Sequence, residues 1–447
     1  MADKLLIRAY NVEVGDCIYC RIPKARSVGG AVDDFHILID CGSVGGLDHL
    51  EGAMAHLITE LPDATGGKKR LDLVVATHEH KDHILGFGLP VFQKLQIGQI
   101  WMNAAMNPEH PQAENTRGLR GLATRAMHRL ESLHLSLGPE LQELVSLFSV
   151  DNDAAMEALR TDLPAENDIE ARYVHAGMTG SDAGLPLVGA SIHVLGPEED
   201  IDHFYLGEDI DETLRGFAAT SNELSRRPSF VPAPPPSNIG AADFRALQSR
   251  MLSNALGFAE LSSRVTNNTS VVLLIEWKDK RLLFVGDAEW DAQFREGRSN
   301  AAWNVMWNKR KALLDKPVHF LKIGHHGSEN ATPWSDEDED DQGEPAKILA
   351  SILPLPKAST KPKAKAIVST LRKNYKTIPR SALLRELGRR VANSRNYKTE
   401  FATKGIDNSK LEKFKEFEKE WFGELQPCRT DCEHLLTGVD FVEVEIG

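Results

Sequence analysis

The chain has 447 residues, 41% of them hydrophobic and 26% charged, the proportions of a globular protein, which exclude a disordered or fibrous one. A formal charge of −13 disfavours a polyanionic partner on average, and no stretch reaches the roughly 18 consecutive apolar residues of a membrane helix. Met1-Ala2-Asp3-Lys4 runs into an apolar segment without a signal-peptide pattern, so a cytoplasmic location with no membrane association is expected.

The length suggests two to three domain-sized units. Leu5–Tyr10, Cys17–Ile22 and Phe35–Asp40 are apolar or β-branched runs between Gly, Pro or polar turns and read as strands. Cys17 and Cys20 form a C-x-x-C inside such a run, where period-two alternation sends them to opposite faces. With Cys41, Cys428 and Cys432 they are few and odd in number, so free thiols are expected in place of a disulfide framework. Helical spacing covers Leu47–Leu61, and a short buried strand, 71–76, follows. From about 104 to 170 the pattern is helical, with Leu119, Leu122, Ala126, Leu130 and Leu133 at three- and four-residue steps. Residues 191–195 return to a strand, 227–236 are a Pro-rich linker, and 270–287 form a hairpin turning at Lys278-Asp279-Lys280. A strand at 318–323, an acidic run from Asp336 to Asp341, a strand at 366–369, a helix near 380–391 and a closing strand at 440–446 complete the order. The resulting division is 1–103, then a helical insertion at 104–190, then 191–356 with a Pro-rich and helical insertion at 200–265, and last a basic region, 357–447, that completes or caps the fold.

The run Thr77-His78-Glu79-His80-Lys81-Asp82-His83 leaves the strand 71–76. His78 and His80 can face one cation while Asp82 and His83 reach a second, and imidazole with carboxylate suits zinc, manganese or iron. Fixing two ions about 3.5–4 Å apart takes further ligands at rigid strand ends. Asp287, after Phe284-Val285-Gly286, is read as the bridging carboxylate. Of His325 and His326, one completes a metal shell; His326 is assigned to the metal and His325 to the catalytic group. Asp82 and Asp287 are also the candidates for orienting the attacking water. No G-x-S-x-G serine, Rossmann or P-loop motif is present. The expected cofactors are therefore two divalent ions, zinc first and manganese as the alternative.

These features, in this order, resemble the metallo-β-lactamase superfamily. Leu38-Ile39-Asp40-Cys41-Gly42 is similar to its first motif, 78–83 to its second, Gly286-Asp287 to its fourth and His325-His326 to its fifth. The resemblance covers about residues 5 to 395 apart from the two insertions. It implies an α/β fold, an αββα sandwich with helical insertions, in which 1–103 and 191–356 are the two halves of one domain. It also implies two metal ions at one edge of the paired sheets, a metal-bound hydroxide as nucleophile, and supporting places behind the ligands for Asp40 and Asn268. Within the superfamily, Asn11-Val12-Glu13-Val14-Gly15-Asp16, Asn267-Asn268-Thr269-Ser270, Val285-Gly286-Asp287-Ala288-Glu289 and Lys322-Ile323-Gly324-His325-His326-Gly327-Ser328 resemble the group of the bacterial competence DNA-uptake nuclease domain and the phosphorylcholine esterases.

Two positions depart from that pattern. Asn267-Asn268 stand where most of the superfamily has a third-motif histidine, so the ion held by His78 and His80 is expected to be the looser one; His193 is a substitute in principle but reads as a satisfied sheet histidine. Ile378 precedes Pro379 where the competence-type nucleases often carry a histidine, leaving Lys373, Lys376 and Arg380 to supply positive charge to substrate.

Resemblance and the stretch 357–413, with sixteen Lys or Arg against Glu386, Glu400, Asp407 and Glu412, point to phosphodiester hydrolysis, with nucleic acid as a candidate substrate. The acidic run at 336–341 opposes a polyanion unless it gates the site. Hydrolysis of a small ester, lactone, thioester or phosphocholine-like headgroup is the alternative, and a metal-holding interaction or regulatory protein a third. The helical insertions are the candidate surfaces for a protein partner or for self-association.

Overall fold

The computed structural model describes residues 3–112, 152–207, 259–335, 343–357, 359–372, 377–406 and 423–447, with the isolated positions 118, 120, 121, 123, 124, 127 and 257. Leu119, Leu122, Ala126, Leu130, Leu133, the linker 227–236, the acidic run 336–341, Lys373 and Lys376 lie outside the described residues.

The first six strands, β1 (Leu5–Tyr10), β2 (Cys17–Val28), β3 (Ala31–Cys41), β4 (Lys69–Ala76), β5 (Leu95–Asn103) and β6 (Ala171–Val174), pair in sequence order. The next six, β7 (Ala190–Gly196), β8 (Val272–Trp277), β9 (Lys280–Phe284), β10 (Phe320–Ile323), β11 (Lys365–Val368) and β12 (Cys428–Arg429), do the same in a second sheet. A last strand, β13 (Phe441–Ile446), returns to the first sheet, antiparallel beside β1. Each sheet opens as an antiparallel meander, β1-β2-β3 and β7-β8-β9. Each then becomes parallel, through β3-β4-β5-β6 and β9-β10-β11-β12. The 104–190 segment is helical at 153–167 and then joins the first sheet as β6.

Burial shows how the sheets meet. Ile7, Cys20, Ile37, Leu73 and Trp101 of the first sheet share one apolar cluster with Ile192, Leu273, Leu282, Phe320 and Ile367 of the second. Alternate residues of the same strands, Leu6, Tyr19, Leu38, Val74 and Ile100, point the other way, onto Leu50, Ala53, Met54 and Leu57 of the helix Asp48–Glu60. On the far side of the second sheet, Leu274, Leu283, Leu321 and Val368 pack against the helices Ala302–Leu314, Glu344–Ile352 and Ser381–Gly388. Strands covered on both faces read as near-continuous apolar runs, as β4 and β10 do. Cys17 and Cys20 fall in different clusters, on opposite faces of β2, and all five cysteines are buried and outside any disulfide. Among the described residues no helix is long and apolar enough to cross a membrane.

Parallel pairing has a consequence for chemistry, because loops leaving neighbouring parallel strands emerge at the same edge. Asp40 is the penultimate residue of β3, residues 77–83 leave β4, Asp287 follows β9, His325-His326 follow β10 and Ser369 follows β11.

Candidate metal centre

One helical turn, Lys81–Ile84, follows the exit from β4 and turns Asp82 and His83 inward beside His78 and His80; all four are buried. His78 Nδ1 lies 3.1 Å from Thr77 Oγ1 and 3.2 Å from Ser270 Oγ. Thr77 Oγ1 spends its own proton on Asp40 Oδ2 at 2.8 Å, so it accepts from His78 Nδ1 and leaves a lone pair on His78 Nε2. That Nε2 lies 3.1 Å from His80 Nδ1. His83 Nδ1 donates to Asp40 Oδ2 at 2.7 Å, and His326 Nδ1 donates to the Ser369 carbonyl at 3.0 Å. Both rings therefore turn Nε2 towards carboxylates: His83 Nε2 is 3.2 Å from Asp287 Oδ1 and 3.9 Å from Asp82 Oδ2, and His326 Nε2 is 2.9 Å from Asp82 Oδ2. One ring nitrogen held by protein and the opposite one aimed among carboxylates is the arrangement a histidine ligand takes.

Two sets of ligand atoms result, each within 4.8 Å of one another: Asp82, His83, Asp287 and His326, and His78, His80 and Asp287. Either can hold a metal ion. Asp287 belongs to both, with Oδ1 towards His83 and Oδ2 3.7 Å from His78 Nε2. His80 Nε2, Asp82 Oδ1 and His83 Nε2 are buried without a hydrogen-bond partner, a costly state that a cation among them would relieve. Mixed imidazole and carboxylate donors fit zinc or manganese. Asp16, Asp40 and His83 make a third cluster, but Lys322 Nζ already sits 2.8 Å from Asp16 Oδ1 and 2.9 Å from Oδ2, so these atoms are supports.

Protonation follows the same layout. Burial resists charge on Asp287, but His83, His325 and His78 overcome it and hold the carboxyl well below the usual range. Asp82 is likewise lowered against its burial, by His83 and His326. Burial drives His78 well below an ordinary imidazole and His80 down to about 4. His83 is raised well above, where Asp287, Asp40 and Asp82 outweigh burial, and His326 is raised by its bond to Asp82 in spite of burial. Burial raises Asp40. Protons on His83 and His326 offset the ionised Asp82 and Asp287, a positive charge that a cation would supply in their place. The ligand-bearing turns also hold three non-glycine residues at positive φ, Asp40 at 58°, His325 at 40° and His326 at 52°, a strain found where a site over-determines its backbone.

His326 lies inside a ligand set and His325 does not. The His325 ring is half-buried at the rim, with Nε2 4.0 Å from Asp287 Oδ2 and Nδ1 3.1 Å from Ser328 Oγ and 3.7 Å from Glu289 Oε1. Asn268 is buried one layer back: it donates to Glu289 Oε2 at 3.2 Å and accepts from the backbone of Glu289 and Ala302. Its neighbour Asn267 donates to Glu289 Oε1 at 2.9 Å, so the asparagine pair holds a carboxylate that faces His325. His193 bonds Ser191 Oγ and faces Glu276 on the second sheet and takes no part in either set. Arg380 N donates to Gly327 O at 2.7 Å, beside the 325–327 turn, while its exposed guanidinium faces Glu329 at 3.4 Å. Sequence reasoning gave no role to Thr77, Ser270, Glu289 or the Asp16–Lys322 pair, which appear there only inside the motif runs 77–83, 267–270, 285–289, 11–16 and 322–328.

No family model matches the chain, and no curated protein matches it. Among solved structures 35 chains match. One is the metallo-β-lactamase fold protein YhfI from Bacillus subtilis, 10% identical over 72% of this chain and 70% of that one, with a TM-score of 0.27. Another is a protein of unknown function from Enterococcus faecalis V583, 12% identical over 76% of this chain and with a TM-score of 0.28; this chain spans 53% of its length.

Proposed function

We propose that the chain is a metal-dependent hydrolase of the metallo-β-lactamase superfamily, its layered sheets and flanking helices forming the αββα sandwich, and that it cuts phosphodiesters, nucleic acid among them, with two divalent ions, zinc before manganese. The observation that carries the reading is the double membership of Asp287: one buried carboxylate faces both ligand sets, as a residue bridging two cations must. His78, His80 and Asp287 would hold one ion, and Asp82, His83, Asp287 and His326 the other. Cations held there would supply an activated water at neutral pH and Lewis acidity towards the bond under attack. Asp82 and Asp287, kept ionised by their histidines, orient the water by accepting its hydrogen bonds. His325, half-buried at the rim with Nε2 4.0 Å from Asp287 Oδ2, would be the side chain facing the leaving oxygen. Arg380, tied by its backbone to the 325–327 turn, supplies a guanidinium for phosphate, and the basic residues of 357–413 would extend that contact along a longer substrate.

The test pairs metal analysis with hydrolysis. Wild type and an Asp82→Ala His83→Ala variant are loaded with zinc or manganese and given single- and double-stranded nucleic acid and a chromogenic phosphodiester. Cleavage by wild type and not by the variant is expected, with nucleic-acid turnover falling steeply as salt rises. No cleavage of any of the three rejects the phosphodiester reading, and fewer than about one ion per chain rejects the metal centre.

A further inference from the structure

Glu79 stands between the two histidines of the H-x-H turn and belongs to neither ligand set. Its carbonyl oxygen nevertheless accepts from Asn152 Nδ2 at 2.9 Å and, at a long 3.5 Å, from Arg120 Nη2. The Glu79 carboxylate pairs with Arg120 Nη1. Asn152 is buried and anchored in turn, its own carbonyl accepting from Met156 N at 2.9 Å. Both partners come from the 104–190 segment, 41 and 73 residues along the chain.

Elsewhere in the centre the sheets themselves hold the ligands. His83 is oriented by Asp40, His326 by the Ser369 carbonyl, and Asp287 by Ser270 Oγ, which accepts from its backbone N at 3.1 Å. His80 is different: among the described residues its ring has no hydrogen bond except the contact with His78, and Nε2 has none. What fixes His80 must therefore act through its backbone. The Glu79 carbonyl and the His80 N–H share one rigid peptide plane, so a hold on that oxygen sets the direction in which His80 leaves the chain.

We propose that Glu79, clamped by Arg120 and Asn152, is the positioning residue of the His78/His80 half of the centre, so that the 104–190 segment governs how tightly one ion of the two is held. This deepens the two-ion reading above and rests on it. The other half meets this backbone only at the His80 carbonyl, which accepts from His83 N at 3.0 Å and Ile84 N at 3.1 Å, and its rings take their orientation from Asp40 and the Ser369 carbonyl.

Zinc is titrated into metal-free full-length protein against a chromophoric chelator, with thermal unfolding of the metal-free form measured alongside. His78→Ala identifies the ion in question. Wild type is expected to bind two ions and His78→Ala one. An Arg120→Ala Asn152→Ala variant should bind that same ion about tenfold or more weakly, the scale of losses for partners that orient a ligand, and the other ion unchanged. Added to His78→Ala, the two substitutions should leave the remaining ion unaffected. If the double variant does not fold, Asn152→Ala alone carries the same comparison. Equal weakening of both ions together with lower stability of the metal-free form makes the clamp a general prop and overturns the inference, as does no change in either ion. Zinc binding indifferent to His78→Ala overturns it while leaving a metal centre in place, whereas a wild type that binds no zinc brings down the two-ion reading as well.

Discussion

Asp40 Oδ2 lies 2.7 Å from His83 Nδ1, while the opposite nitrogen of the same ring faces Asp287. The carboxylate, which also accepts from Thr77 N and Oγ1, fixes the tautomer of a ligand it does not share. Asparagine tolerates the positive φ of this position, so Asp40→Asn should keep the fold while presenting the wrong hydrogen-bonding group to His83. The expected result is an unchanged circular dichroism spectrum and metal affinity about ten- to a hundredfold weaker by chelator competition. Wild-type affinity in this variant would remove Asp40 from the centre.

Sharing of Asp287 predicts an asymmetry between single substitutions. His326→Ala takes a ligand from one set, so one ion should be lost on dialysis and one retained. Asp287→Ala takes a ligand from both, and elemental analysis should find both depleted. Equal ion contents in the two variants would contradict a shared carboxylate.

Gly42 packs under the ligand turn. A Cβ there would come 2.1 Å from His83 N and 2.2 Å from Asp82 C, backbone atoms that cannot step aside without moving both ligands. Gly42→Ala should cost about 2–3 kcal/mol in chemical denaturation and weaken metal retention with it. Gly88, where a Cβ meets nothing within 4 Å, is the control, and Gly88→Ala should stay within about 0.5 kcal/mol of wild type.

His36 gives a pH dependence away from the metal centre. Burial, helped by the Arg70 cation, lowers its imidazole to about 4, and Tyr19 Oη lies 2.8 Å from its Nδ1. The folded state therefore refuses a proton that the unfolded chain accepts near pH 6.5. Stability from this residue is complete above that pH and is lost as pH falls from 6.5 towards 4, by about 3 kcal/mol at the lower end. His36→Gln should flatten the urea-measured stability difference between pH 7 and pH 4 by a comparable amount; an unaltered slope would assign the acid sensitivity to other groups.

The ligand-bearing turns were legible because each is a short polar interruption after an apolar run, and periodicity is a local property. What sequence hid was either irregular or distant. β5 looks broken because Gly98 interrupts its alternation, yet the fold needs glycine there, since a Cβ would come within 2.6 Å of Asp72 O. β12 is two residues long, too short for any period to show. The helix Ala302–Leu314 buries Trp303, Asn304, Val305, Met306 and Trp307 in succession, so its first half has no polar face to reveal it. Asp16 and Lys322 are 306 positions apart, and no spacing rule connects them. Asn268 reads as a neighbour of the ligands, and only coordinates show that its amide serves Glu289.

The ladder between Leu5–Tyr10 and Phe441–Ile446 starts with Leu5 opposite Ile446 and ends with Tyr10 opposite Phe441. Tension applied between residues 4 and 447 would thus reach this pair from one end and part its hydrogen bonds in turn, as a zipper opens, without having to shear them all together. The segment peeled away first carries none of the residues that face the two ligand sets. Under such a load the strand Phe441–Ile446, paired only with Leu5–Tyr10, would part as a mechanical fuse ahead of the strands that carry His78, Asp287 and His326.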